Sequence, residues 1–128
     1  MKYFTIQELT KTSTGIKKEP NAEQKANLTT LVTELLDPVR EQWGKPIRVN
    51  SGYRSLEVNK AVKGAASSQH MTGEAADITT GSITDNKRLF GMIKTDGYVF
   101  DQLINENGGQ WLHVSYRRGK NRNQVLNL

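Results

Sequence analysis

The chain has 128 residues, with 18 Lys and Arg against 13 Asp and Glu, a formal charge of +5 and 35% hydrophobic residues. That length suits one domain with a core, and the composition excludes disordered and fibrous chains. With no Cys there is no disulfide, no thiolate metal cage and no Cys nucleophile, and no apolar run reaches the roughly 18 residues of a membrane span.

Residues 4–9 read as a short docking turn, and the polar stretch 10–21, with Gly15 and Pro20, as a surface loop. Leu28, Leu31, Val32, Leu35, Leu36, Val39 and Trp43 then recur at the spacing of one helical face. Asn21 can cap that helix, with Gln24 as its capping-box partner. Pro38 interrupts the pattern: Asp37-Pro38 reads either as a kink or as the start of a second helix. Gly44 and Pro46 end it. Residues 47–50 predict a strand, 55–62 a short helix, 63–73 a loop without period, and 74–79 a strand. An amphipathic helix follows over 84–94, with Leu89, Phe90 and Ile93 on its face. Residues 98–105 and 111–116 are strand-like and flank Asn107-Gly108, a two-residue hairpin signal. Helices mixed with a small antiparallel sheet and a C-terminal hairpin make an α+β domain over residues 1–128.

Both histidines lie in suggestive places. His70 sits in the aperiodic loop. Asp77 lies seven residues later inside a small apolar strand, where a carboxylate is costly to bury unpaired. His113 interrupts a strand of large apolar neighbours. Two imidazole nitrogens and one carboxylate oxygen make a three-ligand set for zinc with a fourth position open to water, as catalytic sites require. The bland alternative is a pair of hydrogen-bonded core histidines.

The wider strings are more specific. Ser51-Gly52-Tyr53-Arg54-Ser55, then Ser68-Gln69-His70 through Asp77-Ile78, then Trp111-Leu112-His113-Val114-Ser115, occur in that order. Together they resemble the D-Ala-D-Ala metallopeptidase family of zinc carboxypeptidases, dipeptidases and phage endolysins, whose signature is Ser-x-His-x6-Asp with a later Trp-x-His. The resemblance implies the hedgehog/DD-peptidase-like fold and one Zn²⁺ held by His70, Asp77 and His113. It also implies a peptidoglycan peptide as substrate. Arg54 would grip a substrate carboxylate, and Ser68 would contact substrate or orient its loop. Tyr53, Gln110 and Trp111 would add substrate contacts, with Trp111 as core or pocket wall. Gly73 would let the chain turn before the strand bearing Asp77.

The general base departs from the better-known pattern. Many members carry Glu three residues before the last ligand, where this chain has Gln110. Upstream acids are Glu106 and Asp101. A two-residue turn at Asn107-Gly108 would pair Glu106 with Gly109 and His113 with Gln102, which puts Glu106 on His113's face but about 13 Å along the strand. A three-residue loop would favour Asp101 instead. Both remain candidates, with Glu106 preferred.

The resemblance leaves two bonds open: C-terminal D-Ala-D-Ala, or L-Ala-D-Glu inside the stem peptide as endolysins cut it. A non-catalytic zinc module for cell-wall or protein binding, as hedgehog domains exemplify, is the alternative. Nucleic-acid binding rests on charge alone and has no motif. The chain is expected to act as a monomer. Residues 1–6 turn polar too soon for a secretory signal, which fits synthesis in the cytoplasm and action on the wall after release, or a removed leader. Finally, Arg117, Arg118, Lys120 and Arg122 place +4 of the net charge in residues 117–128, and the other 116 residues carry only +1. This basic C-terminal segment reads as a solvated tail or as a loose grip on an anionic wall.

Overall fold

In the computed structural model, which describes residues 1–12, 14–16 and 19–128, helix α1 (Ile6–Thr10) is the expected docking turn. Thr5 caps it, and Leu9 anchors it in the core. Within the stretch expected to be a surface loop, residues 13, 17 and 18 lie outside the described residues. Asn21 then opens α2 (Ala22–Leu31) with both halves of the capping box, each hydrogen bond 2.8 Å long. The helix neither stops nor starts again at Pro38. It passes through a π-helical turn, Val32–Leu36, into α3 (Asp37–Trp43), which Gly44 ends at a φ of 75°. Proline offers no N–H and crowds the preceding turn. The widened turn absorbs this, with the Asp37 N–H donating to the Val32 carbonyl. Asp37 is therefore not a cap. Its carboxylate instead accepts from the backbone N–H groups of Lys2 and Tyr3 at 2.6 and 3.0 Å, which ties the N-terminus to the rod.

Strand β1 (Arg48–Ser51) leads to α4 (Leu56–Ala61), capped by Ser55. The aperiodic loop ends in a 3₁₀ turn, Gln69–Thr72, capped by Ser68 and closed by Gly73 at a φ of 79°. Strand β2 (Ala75–Thr79) follows, then α5 (Ile83–Thr95), β3 (Gln102–Glu106), β4 (Trp111–Ser115) and β5 (Gln124–Asn127). One five-stranded sheet results, in the order β1-β2-β4-β3-β5, antiparallel except for the β3–β5 pair. The α+β architecture is the one expected.

Two details differ from the sequence reading. The β3–β4 connection is a 3₁₀ turn over Asn107–Gly109 followed by Gln110, not a two-residue hairpin, so Glu106 pairs with Trp111 and His113 with Ile104. Asn107, Gly108 and Gly109 all take positive φ, which sustains a longer turn than Asn-Gly alone. The basic C-terminal segment is not a solvated tail: its end forms β5, parallel to β3, with Leu128 donating to Asn105 and accepting from Asn107.

Ala76, Ile78, Leu112, Val114 and Leu103 point from the sheet into the core. There they meet Leu28, Leu31 and Leu35 of the helical rod and Leu89 and Ile93 of α5. Asn86, buried on α5, donates to the carbonyls of Gly109 and Gln110 and so fixes the β3–β4 connection. Side chains alternate across a strand, so Asp77 and His113 are presented on the face opposite the core.

Candidate metal centre and its cleft

Four strands each contribute one residue to a row across this face. Ser51 pairs with Asp77, Asp77 with His113, and His113 with Ile104. A β-bulge between Val49 and Ser51 shifts the β1 register, and this shift is what sets Ser51 opposite Asp77. His70 arrives from outside the sheet on the 3₁₀ turn. Its Nε2 lies 3.3 Å from Asp77 Oδ1, and His113 Nδ1 lies 3.1 Å from the same oxygen. The two imidazole rings meet edge to face, 5.1 Å apart.

The support around His70 is specific. Its Nδ1 lies 2.7 Å from the Gly52 carbonyl, to which it donates, so Nε2 is the nitrogen turned toward Asp77. Its own carbonyl accepts from the Arg54 N–H, and Ser68 Oγ accepts from its N–H at 3.2 Å. Gly52 has no freedom to be larger: a Cβ there would sit 2.2 Å from the Leu9 carbonyl oxygen, the atom that accepts from the Tyr53 N–H. Close packing of α1 against this turn thus places the carbonyl that orients His70.

Asp77 is nearly buried. Burial pushes its carboxyl up, but the hydrogen bonds from His113 and His70 together outweigh burial and hold it well below the usual carboxylate range. Arg54 Nη2 approaches the second oxygen, Oδ2, at 3.3 Å, while Arg54 Nε donates to Ser51 Oγ at 3.1 Å. The donor set fits a tetrahedral metal. His70, Asp77 and His113 each offer one atom, all within 4.8 Å of one another. A tetrahedron with bonds of about 2.0–2.1 Å has edges of about 3.3 Å, which matches the two nitrogen–oxygen separations.

Beside this cluster opens a cleft of about 590 Å³, lined by His113, Ile104, Glu106 and Gln102 on the sheet and by Ser68 and Gln69 of the 3₁₀ turn, among others. The longer β3–β4 connection moves Glu106 toward His113. Their faces agree as expected, and the offset falls from four residues to two, about 7 Å along the strand. Glu106 therefore stands beside His113 with no exceptional twist required.

The other expected site residues divide between this site and other places. Asp101 is fully buried. Its carboxylate accepts from Arg122 Nε and Nη2 at 2.9 and 2.8 Å, from the Arg122 backbone N–H, and from Gln69 Nε2 at 2.8 Å. The hydrogen bonds from Arg122 lower its pKa to about 2. Its oxygens are saturated by donors, which makes it a strut under the His70 turn and not a free base. Tyr53 is buried in the core cluster, not in the cleft. Gln110 is exposed at the end of the 3₁₀ turn and borders a separate recess beside Arg48 and Asn50. Arg54 lines a recess with Tyr53 and Val58, and its side chain is engaged with Asp77 and Ser51. Trp111, paired with Glu106, is half-buried on His113's face. Ser68 both lines the cleft and caps the turn.

The sequence reading missed Gly52 as the acceptor for His70, the Gln69–Asp101–Arg122 network, and Gln102 and Arg117 as cleft walls. Arg117 had a readable signal: it continues the alternation His113, Ser115, Arg117 beyond β4.

Comparison with known proteins agrees with this geometry. A sequence profile for the Peptidase M15 family matches residues 2–115. The chain is also 40% identical over 81 residues to a zinc D-Ala-D-Ala carboxypeptidase of Streptomyces albus G. That stretch is 62% of this chain and 32% of the relative, so the match spans about a third of that protein.

Proposed function

The chain belongs to the Peptidase M15 family, and from that premise we propose that it is a zinc-dependent peptidase hydrolysing peptide bonds of peptidoglycan stem peptides. The observation that carries this reading is the convergence of His70, Asp77 and His113 at tetrahedral edge distances beside an open cleft. The name of the Streptomyces relative supplies the metal and the bond class. A zinc ion held there supplies Lewis acidity, polarising a carbonyl and lowering the pKa of water to about 7.

The protein's own groups do the rest. Gly52 fixes the His70 tautomer through Nδ1, so that Nε2 is the donor atom. Arg54 holds the second Asp77 oxygen and orients the carboxylate. Glu106 is the proposed general base, two residues along β3 from the partner of His113 and in the same cleft. It takes a proton from the attacking water as the carbon–oxygen bond forms, and returns it to the amine nitrogen as the carbon–nitrogen bond breaks. Asp101 positions this machinery through Gln69, the residue before His70.

Purified peptidoglycan incubated with the zinc-loaded protein tests the reading by mass spectrometry. Loss of one D-Ala identifies a carboxypeptidase, and release of a peptide beginning at D-Glu, with L-Ala left on the glycan, identifies an L-Ala-D-Glu endopeptidase of endolysin type. Zinc bound at one per chain with no product would instead favour a binding module on the same scaffold.

A further inference from the structure

The cleft is electrically uneven along the strands. Glu106 lies at one end, beside Trp111. His113 and Ile104 follow, then the Gln102 side, where Arg117 and Arg122 of the C-terminal segment form the wall. Arg117 lies two residues past the end of β4 and lines the same cleft as His113. It also lines a second recess of about 400 Å³, which adjoins the cleft through the shared residues Thr72 and Glu74 and carries Arg118 and Lys120.

Arg117 is free to act. Its side chain is 43% exposed, and its one ion-pair partner among the described residues is Glu74, with Nε 3.7 Å from the carboxylate. That separation is too long for a hydrogen bond, so the guanidinium fork is not closed. Arg122 differs. Two of its nitrogens hold Asp101, while the side chain as a whole is 54% exposed and lines the cleft. Arg54 does not line this cleft, since its guanidinium donates to Asp77 and Ser51.

We propose that Arg117, flanked by Arg122, is a specificity-determining carboxylate subsite: the cleft selects peptides bearing a free carboxylate on the side of the scissile bond that lies over the Ser115–Arg117 end. A planar guanidinium with an open fork matches a carboxylate with two parallel hydrogen bonds, whereas a carboxamide can accept only part of that pattern. Glu74 is the internal competitor for the same fork. The inference rests on the peptidase reading for its substrate and extends it to which chemical group sets the preference.

The test uses full-length zinc-loaded protein and pairs of stem peptides that differ in one group: D-glutamate against D-isoglutamine, and a C-terminal acid against its amide. Cleavage gives kcat/KM, and calorimetry gives binding of the same peptides. In one of these pairs the acid is preferred by about 10- to 100-fold, the range of a charge-assisted hydrogen bond. Arg117→Gln collapses that ratio, Arg117→Lys keeps part of it, and Glu74→Gln raises it. Equal handling of both members of both pairs by the unsubstituted protein overturns the proposal, as does an Arg117→Gln variant that loses both forms in equal proportion. Binding that prefers the acid without any cleavage sinks the peptidase reading while the subsite stands. Cleavage without preference sinks the subsite alone, and neither cleavage nor preferential binding sinks both.

Discussion

Asp77 and Asp101 are both buried carboxylates with an arginine beside them, and both have pKa values held below the ordinary range. Their neighbours give them different work. Asp101 faces donors only, the guanidinium and backbone N–H of Arg122 and the amide NH₂ of Gln69, none of which has a lone pair to share with a cation. Asp77 faces two imidazoles, whose ring nitrogens are metal-donor atoms. One constellation can hold a metal; the other can only lock two segments together. A buried carboxylate is read by the chemistry of what surrounds it, and burial alone does not distinguish a site from a strut.

Substitution to asparagine at each position separates the two. Asp77→Asn is expected to abolish metal retention and activity while the sheet remains folded, as metal analysis and circular dichroism will show. Glu106→Gln should keep the metal and lower turnover by about 10²- to 10⁴-fold, the usual weight of a general base. Full activity in that variant would remove Glu106 from the mechanism. Gly52→Ala should lower thermal stability by about 1–3 kcal/mol, the cost of overpacking, because its Cβ would meet the Leu9 carbonyl at 2.2 Å. Weakened zinc affinity should accompany it through the displaced His70 partner. Asp101→Asn should retain metal and cost about 1.5–3 kcal/mol from weakened charge-assisted bonds.

The smallest effect is in pH. The Asp101 carboxyl is lowered to about 2 in the folded protein, chiefly by Arg122. Its contribution to stability is therefore fully present above the ordinary carboxylate value and is lost as pH falls through about 2. Acid unfolding of the metal-free protein should show this loss in the unsubstituted chain and not in Asp101→Asn.

Much of this was legible in the sequence because it is local. The capping box of Asn21 and Gln24 appears as written. The face of α5 follows from period alone, and the order of the His70, Asp77 and His113 strings suggested their convergence. What was not legible depends on packing. The β3–β4 connection follows from three successive positive-φ residues fixed by Asn86 from another helix. Strand β5 has only four residues, Gln124–Asn127, and follows the basic stretch 117–122, so its sequence resembles the end of a tail. The Arg122–Asp101 pair joins residues 21 apart, and no spacing rule predicts it. Gln110, expected among the substrate contacts, instead borders a separate recess beside Arg48 and Asn50, a placement set by the longer β3–β4 connection.

Zinc stoichiometry in matched Asp77→Asn and Asp101→Asn proteins, measured after dialysis against trace zinc, tests the central claim most directly. The account predicts one zinc per chain in the unsubstituted protein and in Asp101→Asn, and none in Asp77→Asn. Zinc retained by Asp77→Asn, or lost equally from both variants, would contradict it.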